Sequence, residues 1–359
     1  MSIFIAKANR NCRNAIARIL QVYKSRIDAS KGIFIKPNIV FPLSEKSGQI
    51  TRHRVVRALI ESLREQHGDV PIVLGEGTAA GTVPRENFDI SGFSALAREY
   101  GIELLDLDHV EHVSIKWKYG VLKLPKIARE STYINLPILK QSSAAIISGA
   151  MKNQKGLLLP EVKKAFHRWG LHEPIAYLNA VIQPSLTILD ASNLFKDDVL
   201  IAGDSAYEID SLVVGLLGIT EPGYLEVSRN IGINPVTDIH GEKPESLQVR
   251  PLQEYGEYRK LFRLRLWSNP RACSMCRFLL QDVARFKKKE PGASLVSAVK
   301  LGRLAMTGGE LVYGFDPVIR PRYGRVICIG DCTGKLAKEK GYVHVPGCPP
   351  LRKDLVDRL

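Results

Sequence analysis

The chain has 359 residues, of which 45% are hydrophobic and 25% are charged, a balance typical of soluble globular proteins. No apolar stretch approaches the roughly 20 residues of a membrane span, and the N-terminus lacks a signal-peptide pattern, so we expect a cytoplasmic protein without a membrane span. Lys and Arg number 51 against 37 Asp and Glu, and residues 250–359 alone hold 22 of these cations against 10 of the acids. Such a basic block suits an anionic ligand, a nucleic acid or an acidic protein partner, or it forms a solvated face.

Short apolar segments alternate with helical patterns over the first 245 residues. Strands are predicted at residues 32–39, 70–74, 102–107, 131–136, 185–190 and 199–204. Helices are predicted at residues 54–66, 93–100 and 207–217, the first with Thr51 as its cap. This alternation predicts an α/β fold with a mostly parallel sheet and helices on both faces.

Residues 232–251 are rich in proline, glycine and charge, which indicates a linker. The sequence therefore predicts two domains. Residues 1–245 form an α/β domain that binds an anionic substrate, and residues 246–359 form a smaller, basic, cysteine-rich α/β region. In the second domain we expect helices at 274–289 and 335–340 and strands at 324–330 and 342–345.

Five of the six cysteines lie between residues 273 and 348. Without a secretion signal, such clustering favours a metal site over disulfides. A metal ion or cluster needs about four converging thiolates, and loops that follow parallel strands meet at one edge of a sheet. Gly330 and Gly347 would let the backbone approach closely and donate N–H groups toward sulfur. A structural zinc ion on the same thiolates, or no metal, remains the alternative.

Residues 326–352 resemble the cluster-binding region of the small iron–sulfur subunit of complex I and of nickel–iron hydrogenase small subunits. Those proteins have a strand ending in Gly-x-Cys, then a strand ending in Pro-Gly-Cys-Pro-Pro, as in residues 330–332 and 346–350 here. The resemblance implies a [4Fe–4S] cluster on four cysteines: Cys273, Cys276, Cys332 and Cys348. Cys273 and Cys276 are separated by two residues, whereas the complex I subunit has an adjacent pair. Cys328 is then a core residue, an alternative ligand or a resolving thiol.

Polar residues also gather at the ends of the strands predicted in the first domain, where open α/β sheets bind ligands. Side-chain donors and a glycine-containing loop that can cradle an anion form the predicted anion-binding set: Lys36, Asn38, Gly75, Gly77, Thr78, Lys140 and Asn153. Four further residues are the predicted acids and bases of catalysis: Lys152, Lys155, His167 and Asp204. The alternatives are a solvated lysine loop, a plain strand-to-helix turn, a packed histidine and a helix cap at Asp204.

Many of these residues carry a resemblance to domain-of-unknown-function family 362, over roughly residues 30–220. The matching strings follow in the family's order: IKPN at 35–38, GEGT at 75–78, INLPILK at 134–140, MKNQKG at 151–156, His167, Asp190, AGD at 202–204 and Asp210. Members often carry iron–sulfur or ferredoxin-like cysteine segments, so the resemblance implies a fold and a cluster rather than a reaction. The N-terminal layout is also similar to that of the lactate racemase family, without a residue match that would carry over a nickel cofactor.

Three functions agree with these patterns. The first is an iron–sulfur redox enzyme or electron-transfer protein that acts on an anionic small molecule, with the [4Fe–4S] cluster supplying electrons or acting as a Lewis acid. The second is a zinc-stabilised module whose basic and aromatic residues at 255–289 bind nucleic acid. The third is an accessory subunit of a larger redox complex, with the basic face docked on an acidic redox partner.

Overall fold

The computed structural model describes residues 2–9, 11–39, 42–77, 84–142, 145–233, 238–252, 264–268, 275–284, 291–314, 319–321, 325–347 and 350–359. Within the described helices, the structure describes only the backbone at positions 167, 168, 275, 277, 278, 281, 282, 291 and 293. The chain divides into two compact units. The first comprises Met1–Gln141 and Ile147–Leu252, and the second comprises Ser142–Ile146 and Gln253–Leu359.

An eight-stranded sheet forms the centre of the first unit. The strands up to residue 241 are, in chain order, β1 (Ser2–Lys7), β2 (Ile33–Lys36), β3 (Ile72–Glu76), β4 (Glu103–Asp106), β5 (His112–Trp117), β6 (Gly120–Pro125), β7 (Thr132–Asn135), β8 (Lys140–Ser142), β9 (Ile146–Ser148), β10 (Leu186–Asp190), β11 (Val199–Gly203) and β12 (Asp238–Gly241). The large sheet has the order β12-β1-β11-β10-β7-β2-β3-β4, while β5 with β6 and β8 with β9 form two-stranded ribbons.

Of these eight strands, seven run in one direction and β11 runs in the other. The predicted α/β fold with a mostly parallel sheet is confirmed. The carboxyl ends of β2, β3, β7 and β10 therefore meet at one edge of the sheet, and β11 ends at the opposite edge.

The helices of the first unit alternate with its strands along the chain and pack against the large sheet. They are α1 (Cys12–Val22), α2 (His53–His67), α3 (Pro84–Ser91), α4 (Phe93–Tyr100), α5 (Ile127–Glu130), α6 (Ala150–Asn153), α7 (Pro160–Arg168), α8 (His172–Val181), α9 (Ala206–Leu217) and α10 (Gly223–Asn230). In α2 the apolar residues recur at helical spacing and are buried at positions 55, 56, 59, 60 and 63. They share a core with alternate strand residues such as Ile35 and Ile134.

Thr51 does not cap α2. The N-cap is Arg52, which makes no side-chain capping bond. The Thr51 hydroxyl instead accepts a hydrogen bond from Asn38 N at 2.8 Å and donates to Leu136 O at 2.8 Å. Thr51 thereby ties together the loops that follow β2 and β7.

The linker predicted at residues 232–251 is wrong in part, because Asp238–Gly241 forms the edge strand β12, parallel to β1. Gly241 has a φ of +86°, and a Cβ at this position would overlap with Ile5 O. Glycine therefore lets the chain lie against β1 in a segment whose composition resembles a loop.

The second unit has an all-parallel sheet in the order β13 (Arg265–Ser268), β14 (Glu310–Tyr313), β15 (Val326–Ile329) and β16 (Val343–Val345). Its helices are α11 (Met275–Ala284), α12 (Pro291–Met306), α13 (Gly334–Lys340) and α14 (Arg352–Arg358). Within the part of the chain that the structure describes, no helix of either unit has the length and apolar character needed to cross a bilayer.

Candidate functional site

A buried ion pair lies where β2 and β3 end. Lys36 Nζ is 2.8 Å from Glu76 Oε1, and the two side chains are 0% and 2% exposed. Glu76 also accepts hydrogen bonds from the backbone N–H groups of Gly77 and Ile39, both at 3.0 Å. Burial lowers the pKa of Lys36, and the Glu76 carboxylate opposes that effect. Lys36, predicted to bind an anion, already has its counterion within the protein.

A second pair of opposite charges lies beside the first. Lys163 Nζ is 3.5 Å from Asp108 Oδ1, and both side chains are at least nine-tenths buried. A Cβ at Gly77 would overlap with Gly156 O and lie 2.6 Å from Lys163 Nζ. A Cβ at Gly156 would overlap with both charged ends of the Lys36–Glu76 pair. The two glycines therefore allow the loop after β3 to meet the segment after α6.

The glycines predicted to cradle an anion have structural partners. The Gly77 N–H donates to Glu76 Oε1. Gly75 packs closely, since a Cβ there would lie 2.8 Å from Leu107 Cδ2 and 2.9 Å from Phe34 Cε2. Thr78 lies outside the described residues.

Three residues of the predicted anion-binding set form one hydrogen-bonded chain. Lys140 Nζ donates to Asn38 Oδ1 at 2.9 Å and to Gln49 O at 2.6 Å. Asn38 Nδ2 donates to Asn153 Oδ1 at 2.9 Å, and Asn153 Nδ2 donates to Asn135 Oδ1 at 2.8 Å. The structure thus brings Lys140, Asn38 and Asn153 together, and it adds Asn135 from the end of β7.

Lys140 differs from the other two lysines in the kind of partner it has. Lys36 and Lys163 each lie beside a carboxylate, whereas both hydrogen-bond acceptors of Lys140 are neutral oxygens. Its pKa is lowered to about 7, chiefly by burial and also by repulsion from Lys152 and Lys36, while Glu76 partly opposes these effects. Lys140 therefore gains or loses its charge near neutral pH.

The segment that carries Lys152 and Lys155 is fixed by a carboxylate. Asp210 accepts the backbone N–H groups of Ala150 at 2.7 Å and Met151 at 3.0 Å, at the start of α6. Burial raises the pKa of Asp210 to about 6. Lys152 lies close enough to affect Lys140, and Lys155 Nζ lies 5.0 Å from the centre of the Phe166 ring.

Asp204, one of the predicted catalytic residues, lies away from these groups, and the side chain of His167 is not described. Asp204 follows β11, the reversed strand, so it lies at the opposite edge of the sheet, where it pairs with Arg26. It does not cap α9 either, since Ser205 accepts the N–H of Glu208. His167 belongs to α7, but its side chain lies outside the described residues.

Sequence reasoning missed the two carboxylates, Glu76 and Asp108, and with them Lys163. The available signal for Glu76 was an acidic residue at the end of a strand, next to a strand that ends in lysine. Neighbouring parallel strands that end in opposite charges can form a pair across the edge of the sheet.

In the second unit, two of the predicted cluster ligands converge beside Gly330. Gly330 has a φ of +93°, and a Cβ there would lie 3.1 Å from Cys276 Sγ, 3.6 Å from Cys332 Sγ and 3.5 Å from Gly347 O. The loops after β15 and β16 and the start of α11 therefore meet at one point. Cys273 and Cys348 lie outside the described residues, and among those described no three His, Cys, Asp or Glu side chains come close enough to hold a metal ion.

The N–H groups of the two glycines beside these cysteines donate to oxygen atoms rather than to sulfur. The Gly330 N–H donates to Val345 O at 2.9 Å, and the Gly347 N–H donates to Asp331 Oδ1 at 2.6 Å. Gly330 O accepts from the Thr333 hydroxyl at 2.8 Å and lies 3.1 Å from His344 Nε2. These bonds tie the loop of Cys332 to the one that leads to Cys348.

Cys328 is a core residue on the other side of the sheet. It packs with Val312 and Ala337, while its neighbours Ile327 and Ile329 share a core with Cys276. Residues alternate between the two faces of a strand, so Cys328 points away from Cys276. Cys328 is fully buried, and burial raises the pKa of its thiol to about 11. Of the three roles open to it, the structure supports packing.

Residues 33–216, or 184 of the 359 residues, match the model of a family described as a domain of unknown function, DUF362. The chain belongs to the DUF362 family. The resemblance noted in the first domain is thereby confirmed. No curated protein matches this DUF362 chain. Among solved structures, the lactate racemase apoprotein from Thermoanaerobacterium thermosaccharolyticum is similar, with a TM-score of 0.40 and 11% sequence identity over 97% of this chain and 87% of that one.

Proposed function

We propose that this DUF362 protein is an iron–sulfur redox protein that acts on an anionic small molecule. The second unit would hold a [4Fe–4S] cluster on Cys273, Cys276, Cys332 and Cys348. The observation that carries the proposal is the approach of the Cys276 and Cys332 sulfurs to the same side of Gly330, beside Gly347 O.

The surroundings of these sulfurs suit a cluster. The site needs space at Gly330, and the positive φ of this residue together with the nearby sulfurs requires glycine there. Residues 253–359 hold 21 Lys and Arg against 10 Asp and Glu, a surplus that offsets the negative charge of a thiolate-bound cluster. When bound, such a cluster gains or loses one electron.

In the first unit, Lys140 supports binding of a carboxylate or phosphate. Its ammonium is held by Asn38 and Gln49 O, which carry no charge, so a bound anion would provide the counterion that Lys36 and Lys163 find in Glu76 and Asp108. Charge-assisted hydrogen bonds of this kind are about twice as strong as neutral ones. Lys152, Lys155 and His167 stay in the proposed site as acid or base candidates, and Asp204 leaves it.

Metal and sulfide analysis of anaerobically purified protein tests the cluster, together with low-temperature EPR after dithionite reduction. We expect about four irons and four sulfides per chain, lost in Cys332→Ala and retained in Cys328→Ala. The second variant is a matched control, because Cys328 lies on β15 and packs into the opposite core, away from Cys276. One zinc ion per chain without sulfide would contradict the proposal and favour the zinc-stabilised module.

Calorimetric titration with phosphate and with mono- and dicarboxylates tests the anion site. Lys140→Met should weaken the best of these ligands by about tenfold or more, because a hydrogen bond to a charged group contributes about 1.5–3 kcal/mol. Lys123→Met removes the same charge from an exposed position on β6 and should leave the affinity unchanged. If both variants lose the same affinity, the effect comes from the overall charge of the protein, and this would contradict the assignment.

A further inference from the structure

Helix α12 of the second unit turns an apolar face toward solvent. Three of its aliphatic side chains are largely exposed: Leu295 at 61%, Val299 at 62% and Met306 at 81%. Their spacing of four and seven residues places them on one side of the helix, along about 16 Å of its axis. Val296, exposed by 50%, lies beside this row.

The buried side of the same helix combines polar and apolar residues. Ser294 and Ser297 are 2% and 0% exposed, alongside the buried Leu301 and Leu304. A surface helix normally turns its polar residues outward and its large aliphatic residues inward. A row of large aliphatic side chains in water is typical of a surface that another molecule covers.

The charge of the unit indicates what kind of molecule that is. Residues 253–359 carry 21 Lys and Arg against 10 Asp and Glu, and three lysines, 287–289, come just before α12 in the sequence. Arg303 is exposed on the same helix. An apolar row on a unit with this positive surplus is complementary to a protein that has an apolar patch with an acidic rim.

The position of α12 relative to the cysteines points to a redox partner. The helix packs against α11, which carries Cys276. Arg352 Nη2 donates to Ser297 Oγ at 3.3 Å, and its neighbour Leu351, three residues after Cys348, is 68% exposed. A protein seated on this face would therefore rest on a helix that packs directly against α11, the helix of Cys276.

We propose that the exposed row of α12, formed by Leu295, Val299 and Met306, is the docking surface for an acidic electron-transfer protein. This inference rests on the proposed cluster. In such a complex the reduced partner would give up one electron, and the cluster that Cys273, Cys276, Cys332 and Cys348 would hold would accept it.

Two other occupants fit less well. A second copy would bring together two units that each carry the same positive surplus, and like charges oppose association. A helix that lies in a membrane surface has a charged face opposite its apolar one, whereas α12 buries Leu301 and Leu304 on that side.

The test uses the full-length, cluster-loaded protein and a plant-type [2Fe–2S] ferredoxin as the acidic probe. Calorimetry with oxidised ferredoxin measures docking without any electron transfer, and stopped-flow mixing with reduced ferredoxin measures the electron-transfer rate. Reduction by methyl viologen, a small molecule that needs no docking surface, is the reference. Iron is measured in the same samples, so that failure of the proposed cluster is seen separately from failure of docking.

The informative variant is Val299→Glu, matched by Val121→Glu, which places the same charge at a valine exposed by 68% on β6 of the first unit. We expect Val299→Glu to lower both the ferredoxin affinity and the electron-transfer rate by about tenfold or more, because it puts a charge at the centre of the contact. Val121→Glu should match the wild type, methyl viologen should reduce all forms equally, and the ferredoxin affinity should fall as salt rises.

Three results would overturn the inference. One is that ferredoxin does not bind, or that its binding does not depend on both salt and Val299. Another is a wild-type dimer in sedimentation that Val299→Glu converts to monomer. The third is binding to vesicles of anionic lipid that Val299→Glu abolishes while ferredoxin binding is unchanged.

Discussion

Neutralising Glu76 while leaving Lys36 in place should be among the most damaging single changes in the first unit. Lys36 is 0% exposed, and Glu76 is the carboxylate 2.8 Å from its ammonium. Glu76→Gln keeps the size of the side chain and an oxygen that can accept backbone N–H groups, but it leaves the lysine charge buried without a counterion. Breaking a buried pair from one side costs about 3–5 kcal/mol of unfolding free energy.

The double variant Lys36→Met/Glu76→Gln distinguishes the loss of a pair from ordinary packing damage. It removes both charges, so it should cost less than the sum of Lys36→Met and Glu76→Gln, with a coupling of about 1–3 kcal/mol. Urea unfolding with hydrogen–deuterium exchange of peptides that cover β2 and β3 reports on the first unit. Glu111→Gln breaks the exposed Lys126–Glu111 pair and should cost less than about 1 kcal/mol.

The result that would refute this reasoning is additivity. If the two single costs add up to the double cost within about 0.5 kcal/mol, the two charges act independently. The Lys36–Glu76 pair would then not explain why Lys36 can be buried.

Three further predictions concern Gly330, Lys140 and Asp210. Gly330→Ala should lose its iron, because the new Cβ lies 3.1 Å from Cys276 Sγ at a φ of +93°, and a variant with full iron content would show that the space is not needed. Anion affinity should be highest below pH 7 and should fall as the pH rises above 7. The reason is that the Lys140 ammonium, with its pKa lowered to about 7, loses its proton there. Titrations across the same pH range should show no such fall in Lys140→Met. Asp210→Ala should cost about 2 kcal/mol in urea unfolding, because two buried N–H groups at the start of α6 lose their acceptor, and a loss below about 0.5 kcal/mol would contradict that role.

The sequence predicted much of the first unit because strand ends and helix periodicity are local signals. Lys36, Asn38, Lys140 and Asn153 were expected together, and the structure places them along one edge of the sheet. Local patterns do not reveal which lysines have internal counterions. Lys36 and Lys140 look alike in sequence, and only the position of Glu76 separates their roles.

Strand direction is the second kind of information that a local pattern lacks. Residues 199–204 have the composition of their parallel neighbours, yet β11 runs the other way, which takes Asp204 to the far edge. A local pattern also does not show which face of a strand a cysteine lies on. Cys328 and Cys332 look like one motif in sequence, and the register of β15 sends Cys328 into the opposite core.

Gly77 and Gly156 restrict how sequences of this family can diverge. A Cβ at Gly156 would overlap with Lys36 Nζ and Glu76 Oε1, and a Cβ at Gly77 would overlap with Gly156 O and lie 2.6 Å from Lys163 Nζ. Gly156, Lys36 and Glu76 should therefore be inherited as a block: a family member that replaces Gly156 by a larger residue should also have replaced the pair. A library that varies one of these three alone should yield few folded proteins, whereas a library that varies all three together can recover them.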